Sequence, residues 1–157
     1  MSRYLALFML VGLCLGLISA CDSKEQSTPQ SKIIRPDPPD EFSQLENPLS
    51  GNLEAETSGR DIFRIHCVMC HGENGAGDGP AALSLNPKPE SFAANRGQFS
   101  DAYLFWRISE GGLNKPFSSA MPSWKSILSE KEIWQVISFL RTLKEPSTSS
   151  VFSLKNF

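Results

Sequence analysis

The sequence Cys67-Val68-Met69-Cys70-His71 decides how this chain folds, because it specifies what the core is built around. Two cysteines separated by two residues and followed at once by histidine form the pattern of covalent haem c attachment. Residues three apart on a helix share one face, so both thiols can reach the two vinyl groups at one haem edge. The histidine then supplies an imidazole to the iron. The motif predicts one covalent haem c held by Cys67, Cys70 and His71.

Two other interpretations of the cysteine pair remain open. A Cys-x-x-Cys pair can carry out thiol–disulfide exchange, and an exported protein could use one. A zinc ion would need two further cysteine or histidine ligands. The other two cysteines, Cys14 and Cys21, lie near the N-terminus, and the second histidine of the chain is His66, beside the motif. We expect His66 to point away from the haem, because its neighbour Cys67 is already bonded to it.

A sixth iron ligand can be sought among the four methionines. Met1 and Met9 belong to an N-terminal apolar segment, and Met69 stands between the cysteines, on the wrong side of the ring to cross it. Met121 remains, and Pro122 after it removes a backbone donor and stiffens the loop. A histidine–methionine pair raises the reduction potential, because a thioether favours Fe(II). The alternative for Met121 is an ordinary core methionine.

The first 20 residues have the features of a targeting segment. Arg3 supplies a positive charge, and the apolar run from Leu5 to Ile18 has 14 residues, short for a membrane span and suited to a signal-peptide core. Residues 18–21, Ile-Ser-Ala-Cys, resemble the bacterial lipobox, in which the cysteine is lipidated and becomes the first residue. We expect a lipoprotein signal peptide at 1–20 and a lipid on Cys21. An ordinary secretory signal and a retained anchor helix are the alternatives.

Residues 21–57 lack the composition of a folded core. Between Asp22 and Thr57 three basic residues stand against eight acidic ones, a net charge of −5, and prolines interrupt any helix. We expect a disordered, proline-rich acidic tether here; the alternative is that these prolines are structural parts of a domain. The remaining chain divides into a folded domain at 58–145 and a C-terminal tail at 146–157. A domain this small often needs a metal, disulfide or cofactor to complete its core.

Helical signals are strong at both ends of the folded region. We expect a first helix over residues 58–69 and a second over residues 101–110, with Ser100 as N-cap and Gly111 as the stop. The last helix should begin at a capping box and continue with apolar residues at the helical period, formed by Ser129, Glu132, Ile133, Val136, Ile137, Leu140 and Leu143.

The stretch between Gly72 and Phe99 shows almost no periodic pattern. Such a long irregular segment normally argues against a compact domain, but a haem resolves the objection because the loop can pack on the porphyrin. Five aromatic residues could line that pocket: Phe92, Phe99, Trp106, Trp124 and Trp134. The fold class predicted is all-α, a small domain of three to five helices wrapped around one covalently bound haem.

At these residues the chain resembles the single-haem class I c-type cytochromes of bacteria, and most of all those related to cytochrome subunits of respiratory complexes. The resemblance runs from Gly59 to about Leu143 and includes the attachment motif, the loop 75–82 and the segment Met121-Pro122-x-Trp124. By similarity, the Pro80 carbonyl would accept a hydrogen bond from the His71 ring and fix its orientation.

The resemblance implies an electron carrier rather than an enzyme, anchored to a membrane by lipid and ligated by His71 and Met121. Its partners would be redox proteins, such as a membrane respiratory complex, and the net charge of −2 gives no argument for nucleic acid. The expected location is the periplasmic side, where Asp22 resembles an inner-membrane retention signal of some lipoproteins. The alternatives are a permanent electron-entry subunit of a larger oxidoreductase, and a haem enzyme or gas sensor, such as a peroxidase, with a labile sixth ligand.

Overall fold

The computed structural model describes residues 35–144. Five α-helices occur in this range: α1 Asp40–Ser43, α2 Leu53–His66, α3 Val68–His71, α4 Asp101–Glu110 and α5 Glu130–Leu140. Two short 3-10 turns, Ala82–Ser84 and Arg96–Gln98, interrupt the long loop between α3 and α4. The described residues contain no β-strand, so the expected all-α fold is confirmed.

Three of the expected features fall outside residues 35–144. They are the signal peptide at 1–20, the lipidated Cys21 and the C-terminal tail at 146–157. Within the described range, none of the helices has both the length and the apolar character needed to cross a bilayer.

Local capping explains where α4 and α5 begin. The Ser100 hydroxyl accepts a hydrogen bond from the Tyr103 N–H at 3.0 Å, as the sequence predicts. At α5 the Ser129 N–H donates to the Glu132 carboxylate at 2.8 Å, which completes the predicted capping box. Hydrogen bonds from Ser129 lower the pKa of Glu132 below its usual range.

The crossing of α2 and α5 forms the centre of the fold. Gly59 lies at this crossing, where a Cβ atom would collide with the Gln135 carbonyl, so only glycine permits the close approach of the two backbones. One turn later Phe63, 1% exposed, packs its ring on Phe139 with centroids 5.3 Å apart. The buried side chains of α4 and α5 complete the core, among them Leu104, Ile108, Ile133, Val136, Ile137 and Leu140.

The N-terminal boundary of the folded unit differs from the expectation. Helix α2 begins at Leu53 rather than Ser58, and Asn52 is its N-cap, accepting a hydrogen bond from the Ala55 N–H at 2.9 Å. Residues 35–52, which were expected to belong to a disordered tether, pack on α4 and α5. We call this segment the N-terminal strap.

A buried asparagine attaches the strap to the domain. The side chain of Asn47 is almost inaccessible, and it donates to the Trp134 carbonyl at 3.2 Å and the Ser138 hydroxyl at 2.9 Å. The backbone N–H of Asn47 donates to the Asp101 carboxylate at 3.0 Å. The acidic and proline-rich composition suggested a solvated chain, but the four prolines at positions 36, 38, 39 and 48 lie in a segment that covers two helices. The alternative interpretation of these prolines, as parts of a domain, is the one that holds for residues 35–52.

Candidate functional site

Helix α3 presents the Cys-x-x-Cys-His motif directly after α2. The Cys67 N–H donates to the Phe63 carbonyl at 2.8 Å, and the Cys67 carbonyl accepts from the His71 N–H at 2.9 Å. Cys67 is therefore the junction between the two helices and belongs to the hydrogen-bond pattern of both. Both cysteines are free thiols in this structure, so the pair is not closed into a disulfide.

Most of the predicted haem-binding residues line one cavity of about 240 Å³. Cys67, Cys70 and His71 line it, and so does Met121, which comes from a loop far along the chain. Most of the remaining lining is apolar or aromatic, including Leu85, Phe92, Phe99, Leu104, Ile108, Phe117 and Trp124. Two thiols, an imidazole and a thioether in an apolar pocket match the donors and walls that a covalent haem requires.

Burial sets the protonation of the donors. It lowers the pKa of His71 to about 4, with the nearby Arg107 charge adding to the effect, so the imidazole is neutral and has a lone pair at neutral pH. Burial also raises the pKa of Cys67 to about 12, and Cys70 adds to this increase. A Cys67 thiol held protonated is a poor nucleophile, so Cys67 is not suited to attack in a thiol–disulfide exchange. Within residues 35–144 no group of three or more His, Cys, Asp or Glu side chains gathers as a zinc site would need.

The expected hydrogen bond from His71 to Pro80 is not formed. The Nδ1 atom of His71 is buried without a hydrogen-bond partner, and Pro80 is exposed. The His71 ring instead stacks on Phe92, with centroids 4.9 Å apart. A buried imidazole nitrogen without a partner has lost its hydration without compensation. The protein therefore leaves part of the hydrogen-bonding capacity of this imidazole unsatisfied, which fits a site built to hold a haem.

The aromatic lining agrees with the sequence only in part. Phe92, Phe99 and Trp124 line the cavity as expected. Trp106 and Trp134 do not, because Trp106 packs on Phe117 with centroids 4.8 Å apart and Trp134 packs on Phe105 at 4.4 Å.

His66 was expected to point elsewhere, but it also lines the cavity. Its ring meets Trp124 edge-on, with centroids 5.2 Å apart. It is the last residue of α2, and the turn from α2 into α3 brings its side chain to the pocket. The spacing of residues along one helix could not predict the position of the His66 side chain, because that position depends on how α2 and α3 join at Cys67.

Arg107 is a cavity residue that the sequence analysis missed. It extends from α4 and donates to the Gly111 carbonyl and, at 3.3 Å, to the Ser119 hydroxyl. Its guanidinium carbon lies 3.6 Å from the centroid of the Phe117 ring, and one of its nitrogens lies 3.9 Å from the Met121 Sδ. A basic residue within the otherwise apolar run 102–108 was the signal that could have identified it.

Fold and cavity together define a c-type cytochrome domain. The family described as cytochrome c oxidase, cbb3-type, subunit III matches residues 54–140, which is more than half of the chain. The chain belongs to this family, and it carries covalently bound haem c. Electron transfer is the general role of c-type cytochrome domains.

Two solved structures are similar to this chain. A chain of the reducing HAO-like protein complex of Kuenenia stuttgartiensis is 24% identical with a TM-score of 0.50, and the match covers 64% of this chain and 47% of that one. Cytochrome cL of the marine methylotroph Methylophaga aminisulfidivorans is 20% identical with a TM-score of 0.49, covering 73% of this chain and 70% of that one. This chain thus spans about half the length of the first of these structures. No curated protein matches the sequence.

Proposed function

We propose that this protein is an electron carrier whose haem iron is ligated by His71 and Met121, and that it is not an enzyme. The observation that carries the proposal is the presence of Met121 in the same cavity as Cys67, Cys70 and His71. When bound, the haem supplies one-electron exchange between Fe(III) and Fe(II). The chain supplies a neutral imidazole, a thioether and an apolar wall that excludes water.

Filled axial positions distinguish a carrier from a haem enzyme or gas sensor. A peroxidase-like site needs an open or labile sixth position and a side chain that moves a proton beside it. The one histidine left for that role is His66, and its ring is packed against Trp124. The proposal therefore rests on whether Met121 occupies the sixth position.

Met121→Ala tests the ligand directly, with Met69→Ala as the matched control. Met69 is 62% exposed and does not line the cavity, so its loss should leave the spectrum unchanged. Met121→Ala should abolish the methionine–iron absorption band at the red end of the ferric spectrum and allow azide or cyanide to bind. Met121→His should keep six-coordination and lower the reduction potential, because imidazole stabilises Fe(III) more than a thioether does. An unchanged spectrum and unchanged azide binding in Met121→Ala would restore the enzyme or sensor interpretation.

We also propose that the protein is a lipoprotein on the periplasmic side of a membrane, with the inner membrane favoured. There it would exchange electrons with a respiratory complex. The lipobox-like sequence at 18–21 supports the anchor, and two or more acyl chains would hold the protein stably on a bilayer. Mass spectrometry of the mature N-terminus should find Cys21 carrying lipid. Cys21→Ser should remove the lipid, and an unmodified residue 21 in the membrane-bound native protein would refute the anchor. Co-purification from detergent-solubilised membranes would identify the partner.

A further inference from the structure

The segment that carries Met121 is a closed loop attached to the end of α4. We call residues 111–121 the methionine loop. The Gly112 N–H donates to the Met121 carbonyl at 2.8 Å, and the Ser119 N–H donates back to the Gly112 carbonyl at 2.6 Å. Directly after the loop, the Trp124 N–H donates to the Ile108 carbonyl at 3.1 Å. These backbone hydrogen bonds join the two ends of the loop. The space enclosed between the ends is occupied by side chains.

Arg107 fills that interior. Its guanidinium joins the start of the loop, at the Gly111 carbonyl, to a point near its end, at the Ser119 hydroxyl. The ring of Phe117 covers one face of the guanidinium. A Cβ atom on Gly112 would lie only 2.6 and 2.7 Å from two guanidinium nitrogens, so no space is left between Arg107 and the loop backbone.

Among residues 35–144 Arg107 makes no close ion pair; the Glu90 carboxylate lines the same cavity and acts on its charge from a distance, but pairs with Arg35. The ion pairs of residues 35–144 involve Arg35, Arg64, Lys125 and Arg141, but not Arg107. The guanidinium is half-buried in a mostly apolar cavity. Its hydrogen bonds to a carbonyl and a hydroxyl compensate for the hydration that it loses there. It therefore places a fixed positive charge beside the Met121 sulfur.

We propose that Arg107 is the positioning residue for Met121: it holds the methionine loop so that the thioether faces the cavity, and its charge favours the reduced haem. This inference rests on the proposed role of Met121 as a ligand. The two donors of the planar guanidinium reach two sites of the loop at once, which a lysine ammonium on a flexible stem does not reproduce. A fixed positive charge beside the site opposes the extra positive charge of Fe(III), so it raises the reduction potential.

Azide binding to the ferric holoprotein measures how firmly the methionine is held. Arg107→Lys, which keeps the charge, should weaken the methionine–iron band and raise azide affinity about tenfold or more, which corresponds to about 1.4 kcal/mol less stabilisation of the methionine-bound form. Arg107→Gln should weaken the band as well, with a smaller rise in azide affinity, because the lost positive charge also attracted the anion. Arg107→Gln should in addition lower the reduction potential, whereas Arg107→Lys should keep most of it because the charge remains. Arg64→Gln is the control for loss of one arginine charge, since that side chain is 64% exposed and far less able to act on the site.

A double variant separates positioning from other roles. In the Met121→Ala background, Arg107→Gln should cause no further rise in azide affinity, because its effect passes through Met121. If Met121→Ala alone leaves azide affinity unchanged, the proposed ligation fails and the positioning role fails with it. If Met121→Ala raises azide affinity but Arg107→Gln and Arg107→Lys do not, Met121 is the ligand and the positioning role alone is refuted. A lower potential with an unchanged methionine band would instead assign Arg107 to pairing with an anionic group in the cavity.

Discussion

Replacing Asn47 with alanine should measure how much the N-terminal strap contributes to the stability of the domain. Asn47 lies outside the part of the chain that matches the cytochrome family, which begins at residue 54. Its side chain makes three hydrogen bonds, to the Trp134 carbonyl, the Ser138 hydroxyl and the Leu49 N–H, at 3.2, 2.9 and 2.9 Å. Asn47→Ala removes all three and leaves the backbone bond to Asp101 in place.

The expected loss is about 2–3 kcal/mol in the free energy of unfolding. A buried hydrogen bond contributes about 0.5–1.5 kcal/mol, and a partner left unsatisfied costs more. The Trp134 carbonyl keeps a bond from the Ser138 hydroxyl at 3.0 Å, so the Leu49 N–H is the main group that loses its partner. For a domain of about 100 residues such a loss lowers the melting temperature by roughly 10–15 °C.

Guanidinium unfolding of the full-length holoprotein, followed by far-ultraviolet circular dichroism, is the suitable assay. The midpoint should fall in Asn47→Ala while the slope stays unchanged, because the surface exposed on unfolding is the same. Gln44→Ala in the same strap is the control: its side chain is exposed, and its contact to Ser43, at 3.5 Å, is weak, so its midpoint should not move. Equal midpoints for the two variants would show that the strap is not part of the cooperative unit.

Three further predictions concern the boundaries and caps of the fold. A chain that begins at Ser58 should be markedly less stable to guanidinium than one that begins at Arg35, because it lacks the strap and the first turn of α2; equal stability would restore residue 58 as the domain boundary. Gly59→Ala should destabilise the protein by about 1–3 kcal/mol in chemical unfolding, because a Cβ meets the Gln135 carbonyl, whereas Gly97→Ala, with open space around it, should be near neutral. Glu132 has a pKa below its usual value in the folded state, so its stabilisation is complete above pH 4.5 and is lost as the pH falls through the lower folded value. The stability difference between the native protein and Glu132→Gln should therefore be present at pH 7 and shrink in strong acid; a difference that does not change with pH would exclude the ionised capping box.

Local signals in the sequence predicted the local parts of the structure. The caps at Ser100 and Ser129 were correct to the residue, because N-cap bonds join groups only three positions apart. The attachment motif predicted the haem for the same reason, since its chemistry lies within five residues. Met121 was reached by elimination; it lines the cavity together with the motif, and its role as a ligand stays a prediction.

Tertiary placement was what the sequence could not reveal. The strap was misjudged because its composition resembles solvated chain, whereas its attachment depends on Asn47 meeting groups on α5 some ninety residues away. Arg107 was overlooked because a single charge on an apolar helix looks like a surface residue until the methionine loop folds around it. His66 was misplaced because the direction of its side chain depends on how α2 turns into α3. In each case a contact between distant segments decided the outcome.

With the proposed lipid anchor, the strap would also limit how far the haem domain can move from a membrane. If Cys21 carries the lipid, thirteen residues, 22–34, separate it from the strap. A chain of that length cannot exceed about 45 Å even when fully extended. A leash over residues 22–57 would have allowed almost three times that maximum reach. The domain would therefore exchange electrons only with partners whose redox centres come close to the lipid headgroups, and lengthening the leash should widen the set of partners it can reach.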